Sequence, residues 1–398
     1  MTVLQGRNVA LAISGSISAY KAVDLASKLT QAGAHVDTLM TAAATRFVTP
    51  LTLRSITGNP VFLDMFDPTT ELAEEHVEVA RRADAVIVVP ASATTIARLA
   101  QGAGDDTVTL TVLATKAPVL IAPAMDGQMF DNEATQANLR ALAERGCVIV
   151  GPAEGRLASG RTGKGRLVDT DVLLGALKLE LAKRGDLAGR RVVISAGGTR
   201  EPLDPVRFIS NYSTGKMGYA LAEAARDRGA EVTLISTVST LPVPYGARLV
   251  AVETVAEMRD AVLSACQGAD ALIMAAAVSD YRPADRADHK VKKGPDHKTI
   301  DLEKNADFLL EVPESVIKIG FAAETNDLDA NAQTKLAEKR LDLIAANDVT
   351  APGAGFAHDT NVVTLIDRSG RSEALPLMSK YDVGQRILDR LAELLKAR

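Results

Sequence analysis

The sequence holds little that would tie it to a membrane, a metal or an oxidising compartment. No apolar run approaches the roughly 18 residues of a membrane-spanning helix. Only two cysteines occur, Cys147 and Cys266, far apart and without metal-ligand spacing, which predicts free thiols in a reducing compartment. The opening MTVLQGRNVALAISGS lacks the basic start and the small-residue cleavage site of a secretory signal, so the predicted setting is cytoplasmic. A large excess of one charge is missing too. A net charge of −5 and a pI near 5.7 argue against a general binder of nucleic acid or anionic membrane. Neither glycine turn follows G-x-G-x-x-G with an acidic residue at the spacing a ribose needs, which disfavours a nicotinamide-dependent dehydrogenase.

What is present is an alternation of apolar β-rich runs with helical patterns over 398 residues, a length that predicts two domains. Runs at 8–13, 36–40, 85–89, 119–122 and 148–150 read as strands buried on both faces. A second set follows at 192–195, 232–235, 271–275, 317–321 and 341–345. Two junctions recur: Gly33-Ala34-His35-Val36 returns as Gly229-Ala230-Glu231-Val232, and Ala83-Asp84-Ala85-Val86-Ile87 as Ala269-Asp270-Ala271-Leu272-Ile273. The expected class is α/β, two tandem Rossmann-like doubly wound domains, with residues 1–189 in the first and 190–398 in the second.

The densest signal is the loop at 195–218, SAGGTREPLDPVRFISNYSTGKMG, between an apolar strand and a helix that begins near Gly215-Lys216. Free backbone N–H groups at such a turn suit a phosphate or nucleotide. In the first half, Ser14-Gly15-Ser16-Ile17-Ser18 is a smaller turn of this kind. Ser92 and Thr94 in Pro90-Ala91-Ser92-Ala93-Thr94, and Met125 in Pro123-Ala124-Met125-Asp126, stand at two further strand ends. There, open α/β sheets bind their ligands. His76, in Glu74-Glu75-His76-Val77-Glu78, has carboxylates on both sides that favour its protonated form. Residues 151–166 carry several glycines and four basic side chains, which read either as a surface loop or as a lid over an anion. A basic run (Arg286, Lys290, Lys292, Lys293, Lys298) offers the same choice between a solvated face and a lysine-bearing lid.

The segments SGSISAYK, the His76 stretch, the PAS turn and PAM-x-x-x-M resemble the flavin-dependent cysteine decarboxylases acting on peptidyl or pantothenoyl cysteine. The resemblance implies a flavodoxin-like flavoprotein domain in which FMN oxidises the substrate thiol and the resulting thioaldehyde lets CO2 leave. It makes His76 the catalytic histidine, with Gly15, Ser16, Ser92, Thr94 and Met125 holding the cofactor. Two positions depart from the family. Asp126 stands where an Asn amide meets the substrate carboxylate, so it would have to be protonated or turned away. Ser159 stands where relatives commonly carry a Cys that acts as acid on the enethiol, and a hydroxyl is a far weaker acid.

GTREPLDPVRFISNYSTGKMG is similar to the signature of phosphopantothenate–cysteine ligases. So are AAAVSDY around Asp280, the Lys290 loop, Lys304-Asn305-Ala306-Asp307-Phe308 (with Ala306 in place of proline), Gly320-Phe321-Ala322-Ala323-Glu324-Thr325 and the stretch ending Asn347-Asp348. This resemblance implies a carboxylate activated by CTP with Mg2+, Asn211 acting on the acyl-cytidylate and Lys290 assisting. Asp280, Ala306, Asp307, Phe308, Leu309, Phe321, Lys335 and Lys339 map to nucleotide contacts, and no residues are assigned to the metal. Together the halves resemble a bifunctional coenzyme A biosynthesis enzyme. Its substrates would be 4′-phosphopantothenate, cysteine and CTP, its homo-oligomer built from flavoprotein trimers and ligase dimers, with no nucleic-acid or membrane partner. The alternatives are a ligase fused to a flavin-binding assembly or regulatory module, and a decarboxylase half that stops at the enethiol.

Overall fold

The computed structural model describes residues 3–65, 75–292, 299–324, 328–348, 353 and 355–398. Glu74, Lys293, Lys298 and Thr325 lie outside them. The chain divides into two compact units, one ending at Leu181 and the other spanning Ala182–Arg398. The boundary thus falls before 182, not after 189. Residues 182–189 belong to the second unit because they pack there: Leu187 is fully buried in its core, its N–H donates to Arg228 O at 3.0 Å, and Arg228 Nε donates to Asp186 at 2.9 Å.

The first unit runs β1 (Asn8–Ile13), α1 (Ala19–Gln31), β2 (His35–Met40), α2 (Pro50–Thr57), β3 (Val61–Phe62), α3 (Glu75–Arg82), β4 (Ala85–Ala91), α4 (Ala93–Gln101), α5 (Thr107–Ala114), β5 (Val119–Pro123), α6 (Gly127–Asp131), α7 (Glu133–Glu144), β6 (Val148–Ile149), β7 (Ala153–Arg156), β8 (Thr162–Arg166) and α8 (Thr170–Ala182). Its sheet is parallel in the order β3-β2-β1-β4-β5-β6. This is the doubly wound order, which reverses between β1 and β4 and leaves a crevice at their carboxyl ends. All seven residues of β4 are buried, as a strand covered on both faces requires. Residues 151–166 are not an irregular loop. They form the antiparallel hairpin β7–β8, whose ladder the glycines conceal from a pattern reading.

The second unit continues with β9 (Arg191–Ala196), β10 (Arg200–Pro202), β11 (Phe208–Ser210), α9 (Lys216–Arg226), β12 (Glu231–Ser236), β13 (Arg248–Ala251), α10 (Val255–Ala265), β14 (Ala271–Met274), β15 (Tyr281–Pro283), β16 (Leu302–Lys304), β17 (Ile317–Glu324), α11 (Leu328–Glu338), β18 (Leu343–Asp348), β19 (Thr360–Asn361), β20 (Val363–Asp367), β21 (Ser372–Ala374), β22 (Met378–Ser379) and α12 (Lys380–Ala397). Its main sheet runs β13-β12-β9-β14-β17-β18-β20-β21, parallel as far as β18 and antiparallel beyond. Alternate residues of β9 serve two cores. Val192 and Ile194 face the side of α9 and α12, and Val193 faces α10. The signature loop becomes the β10–β11 hairpin followed by α9. Gly218 in the first turn of α9 is required for packing, since a Cβ there would stand 2.5 Å from that of Ala196. Among the described residues, no helix is long and apolar enough to cross a membrane.

A buried ionic joint fastens α9 to α12. Arg226 Nε donates to Asp227 at 2.6 Å, and Tyr381 OH donates to the other Asp227 oxygen at 2.8 Å. Both charged residues are at least 96% buried. Removing Asp227 leaves the buried Arg226 to its longer 3.4 Å pair with Glu223, a loss of about 3 kcal/mol. Asp227→Ala is expected to lower the thermal midpoint of this unit by roughly 10 °C, read by calorimetry. A shift below a degree would show the joint to be dispensable.

Candidate functional site

In the first unit the carboxyl ends of β1, β4 and β5 are stitched together. Ser14 Oγ donates to Pro90 O at 2.7 Å and accepts from Ser92 N at 2.9 Å. Ala124 N donates to Ala91 O at 3.0 Å. These bonds bring Gly15, Ser16, Ser92, Thr94 and Met125 to one edge. Ser92 caps α4, accepting from Thr95 N, so the positive end of that helix faces the same edge. Gly15 lies so close to Ala43 that a Cβ would approach the Ala43 Cβ to 2.6 Å. Around the edge, Ile17, Phe47 and Met129 are all at least half exposed. A rim of this kind, apolar around small hydroxyl-bearing turns, fits a planar aromatic cofactor with a phosphate tail.

A cavity of about 340 Å³ lies at this edge, between Ser16, Met125 and Asp126 on one side and Leu157 and Ser159 of the hairpin on the other. The hairpin is anchored through Met125 N, which donates to Gly165 O at 3.0 Å. Asp126 lines the cavity with its carboxylate already engaged. Its carboxylate caps α6 by accepting from Gln128 N at 3.1 Å and accepts from Ser159 Oγ at 2.8 Å. The Ser159 bond, then the Gln128 bond, hold its pKa below the ordinary value. The two departures from the family pattern are therefore partners. His76, half-buried near the start of α3, is not among the residues lining the cavity. Of the carboxylates flanking it, Glu78 is taken by Arg81 at 2.7 Å.

In the second unit the carboxyl ends of β9, β14 and β17 meet the start of α9. Asn211 is exposed, and its Nδ2 donates to Ala277 O at 3.1 Å. The lysine loop is fastened to the signature loop. Val291 N donates to Asp204 at 3.2 Å, Arg207 Nη2 donates to Val291 O at 3.1 Å and Ala287 N donates to Leu203 O at 3.0 Å. Asp204 is itself buried and doubly bonded by Arg207, which holds its carboxyl far below the usual range. Lys290, exposed next to this anchor, is thus carried on a segment tied to the Asn211 loop.

A second cavity, about 120 Å³, lies among Thr214, Lys216, Ala276, Phe321, Asn347 and Lys380. Asn347 Oδ1 is buried with no hydrogen-bond partner among the described residues, an acceptor that a bound ligand's N–H or O–H would satisfy. Lys380 is 5% exposed and donates to Gly355 O and Phe356 O at 3.0 and 3.2 Å. Burial, then the nearby Lys216 charge, push its pKa down to about 8. Two lysines, a helix start and an unpaired acceptor fit a nucleotide phosphate and its attached group. Lys216 and Lys380 were not predicted as site residues. Lys216 stood inside the signature loop, whereas Lys380 opens the last helix with no motif around it.

The remaining predicted contacts divide. Asp280 and Ala306 are exposed. Asp307 pairs with Lys339 at 3.1 Å, which places α11 beside the Asp307 turn, and Lys335 is half-buried one turn earlier on that helix. Phe308 and Leu309 are core residues, 2% and 8% exposed, packed with Met258 and Val262. Their side chains are unavailable to a ligand, and only their backbone could reach one. Among the described residues, no group of three or more His, Cys, Asp or Glu is placed to hold a metal ion.

The two sheets and their carboxyl-edge sites define a flavoprotein half joined to a half of the pantothenate-metabolism type. Residues 2–179 match the Flavoprotein family, and residues 187–395 match the DNA/pantothenate metabolism flavoprotein C-terminal domain. The chain is 46% identical to the coenzyme A biosynthesis bifunctional protein CoaBC of Bacillus subtilis, over 99% of this chain and 98% of that one. It is 44% identical to CoaBC of Escherichia coli K12, over 98% and 97%. The solved C-terminal domain of a CoaBC protein is 39% identical, with a TM-score of 0.46, and covers 54% of this chain and 100% of that domain. The chain belongs to the family of coenzyme A biosynthesis bifunctional proteins. It is a bifunctional enzyme in which a flavoprotein decarboxylase half precedes a ligase half.

Proposed function

We propose that the second unit joins cysteine to 4′-phosphopantothenate and that the first unit decarboxylates the product to 4′-phosphopantetheine. The observation that carries the ligase reading is the anchoring of the Lys290 segment to the loop bearing Asn211. In the ligation, the pantothenate carboxylate displaces pyrophosphate from CTP to give an acyl-cytidylate. The cysteine amine then attacks the acyl carbon, CMP leaves and an amide remains. Lys290 and Lys216 neutralise charge on the phosphates, a role that a Mg2+ ion arriving with the nucleotide would share, and the Asn211 amide holds an oxygen on which charge develops. FMN bound at the first unit's carboxyl edge, held by Gly15, Ser16, Ser92, Thr94 and Met125, would supply two-electron redox chemistry for the substrate thiol. The chain's own residues orient the substrate and manage protons there. The setting is cytoplasmic, and the assembly is a homo-oligomer of trimers and dimers. Mass spectrometry of protein mixed with FMN, Mg2+, cysteine and phosphopantothenate, with CTP or ATP, reports ligation, nucleotide choice and CO2 loss together. Flavin bound without CO2 release from supplied 4′-phosphopantothenoylcysteine would favour a non-catalytic flavin module.

Asp126 and Ser159 act as a latch holding the hairpin to the cavity rim. An ionised acceptor does not suit the substrate carboxylate, and a hydroxyl donating to a carboxylate is an even poorer acid. The bond between them fixes the tip of the hairpin at the rim of the cavity. Ser159→Ala and Asp126→Ala are therefore each expected to slow CO2 release by roughly tenfold, with the double variant no slower than either single one. Additive losses would separate the two residues. Since the folded pKa of Asp126 is lowered, the latch is intact above the unfolded value near 4. It weakens only as pH falls through the lower folded value.

Lys380 gives the nucleotide pocket a pH signature. With a pKa of about 8 in the free protein, its ammonium is partly deprotonated at that pH. A bound phosphate favours the charged form, so nucleotide binding at pH 8 should take up a fraction of a proton. Calorimetric titration in two buffers of different ionisation enthalpy measures this uptake, and Lys380→Met should abolish it. Equal enthalpies for the wild type in both buffers would place the phosphates away from Lys380.

A further inference from the structure

The amino edge of the second sheet, opposite the candidate active site, holds a cavity of about 520 Å³ that the proposed chemistry does not use. Its walls carry four cations, Lys318, Arg340, Arg368 and Arg398, and two carboxylates, Glu314 and Asp342. The carboxylates are already engaged. Arg340 reaches Glu314 at 3.3 Å, Arg398 and Arg368 reach Asp342 at 3.3 and 3.6 Å, and Asp342 also accepts from Lys318 N at 2.8 Å. Arg368 is held in place by the Arg340 and Leu341 carbonyls, each at 2.5 Å, and Arg398 by Ser315 O at 2.7 Å.

Lys318 is different. It is the second residue of β17 and 3% exposed, and its ammonium has no hydrogen-bond or ion-pair partner among the described residues. An ammonium in such a place is unfavourable unless something pairs with it. Burial pushes its pKa down, Asp342 opposes that shift, and Arg368 and Arg340 add to it. Counting the engaged pairs, the cavity keeps an excess of two positive charges, with guanidinium groups held at its rim. Fixed guanidinium groups around one unpaired ammonium that opens into the cavity match an oxyanion of two charges.

We propose that this cavity is a second ligand site, separate from both active sites, that binds a phosphate group, free or as a monoester, through Lys318 with Arg340 and Arg368. The full-length protein is titrated in phosphate-free buffer with inorganic phosphate, and separately with glycerol 3-phosphate, by calorimetry. The two arms separate free phosphate from a phosphate ester. The wild type and Lys290→Ala are both expected to bind at this site. Lys318→Met and Arg368→Gln should each weaken that binding by about tenfold or more. Without phosphate, Lys318→Met should melt no lower than the wild type, because methionine keeps the buried stem and removes a charge that repels Arg340 and Arg368. It should also lose the rise of a few degrees that phosphate gives the wild type. Phosphate binding unchanged in Lys318→Met, or no difference between wild type and Lys318→Met in either arm, overturns the proposal. A midpoint several degrees lower for Lys318→Met in phosphate-free buffer overturns it as well, since Lys318 would then be paired in the free protein.

Discussion

Asn211→Ala should slow amide formation by about 10²–10³-fold, the loss on removing one donor to a developing oxyanion. CO2 release from supplied 4′-phosphopantothenoylcysteine should stay at the wild-type rate. The side chain is placed for this by its surroundings. Its Nδ2 donates to Ala277 O at the end of β14, and Ala277 N donates to Gly197 O at the end of β9 at 2.8 Å. The amide therefore sits at the reversal of the strand order, where a ligand of this fold binds. Ser210, one residue earlier, is fixed by its own bond to Thr199 O at 2.8 Å, so truncating Asn211 leaves the hairpin intact. Asn211→Asp is a sharper probe. It keeps the size but sets a carboxylate against the Ala277 carbonyl and the phosphates, and it should be no better than alanine. The measurement is single-turnover formation of product and of acyl-cytidylate by mass spectrometry. Ligation within threefold of wild type in both variants would remove Asn211 from the reaction.

The sheets were legible because strands buried on both faces are written as continuous apolar runs, and β4 and β9 show this plainly. β18 was displaced by two residues. Leu341 is buried but belongs to the turn, while the strand extends through polar Asn347 because its ladder with Val363 continues. The edge strand β13 is largely exposed, so no apolar run announces it. The site residues at strand ends carried their own motifs. The contacts that give them chemical meaning did not, because each joins distant residues. Ser159 reaches Asp126 only when the hairpin folds back, Lys380 reaches the cavity beside Lys216 only when α12 packs on α9, and Lys318 faces a cavity closed by Arg398. Phe308 is the opposite case. Its motif pointed to a ligand, but its ring completes the hydrophobic core.

His76→Asn should slow CO2 release by about 10²–10⁴-fold, the range of a positioned proton-transfer group, while the protein remains yellow and ligation is unchanged. The argument rests on where α3 puts the residue. The helix ends at Arg82, and Asp84 follows at the amino edge, its N–H donating to Asn8 O at 2.8 Å. Six residues of helix separate His76 from Arg82, about 9 Å, so His76 lies toward the carboxyl edge on which the flavin site is built. Asparagine keeps the size and one hydrogen-bonding nitrogen of the imidazole but cannot exchange a proton near neutral pH. Its loss therefore separates proton transfer from orientation. His76→Gln, with the amide one carbon further out, tests reach. The flavin spectrum distinguishes the outcomes. A protein that stays yellow and cannot decarboxylate has lost a catalytic group, whereas loss of colour would make His76 part of the cofactor's support. Decarboxylation near the wild-type rate in the asparagine variant would move the proton-transfer role to another residue of the same edge.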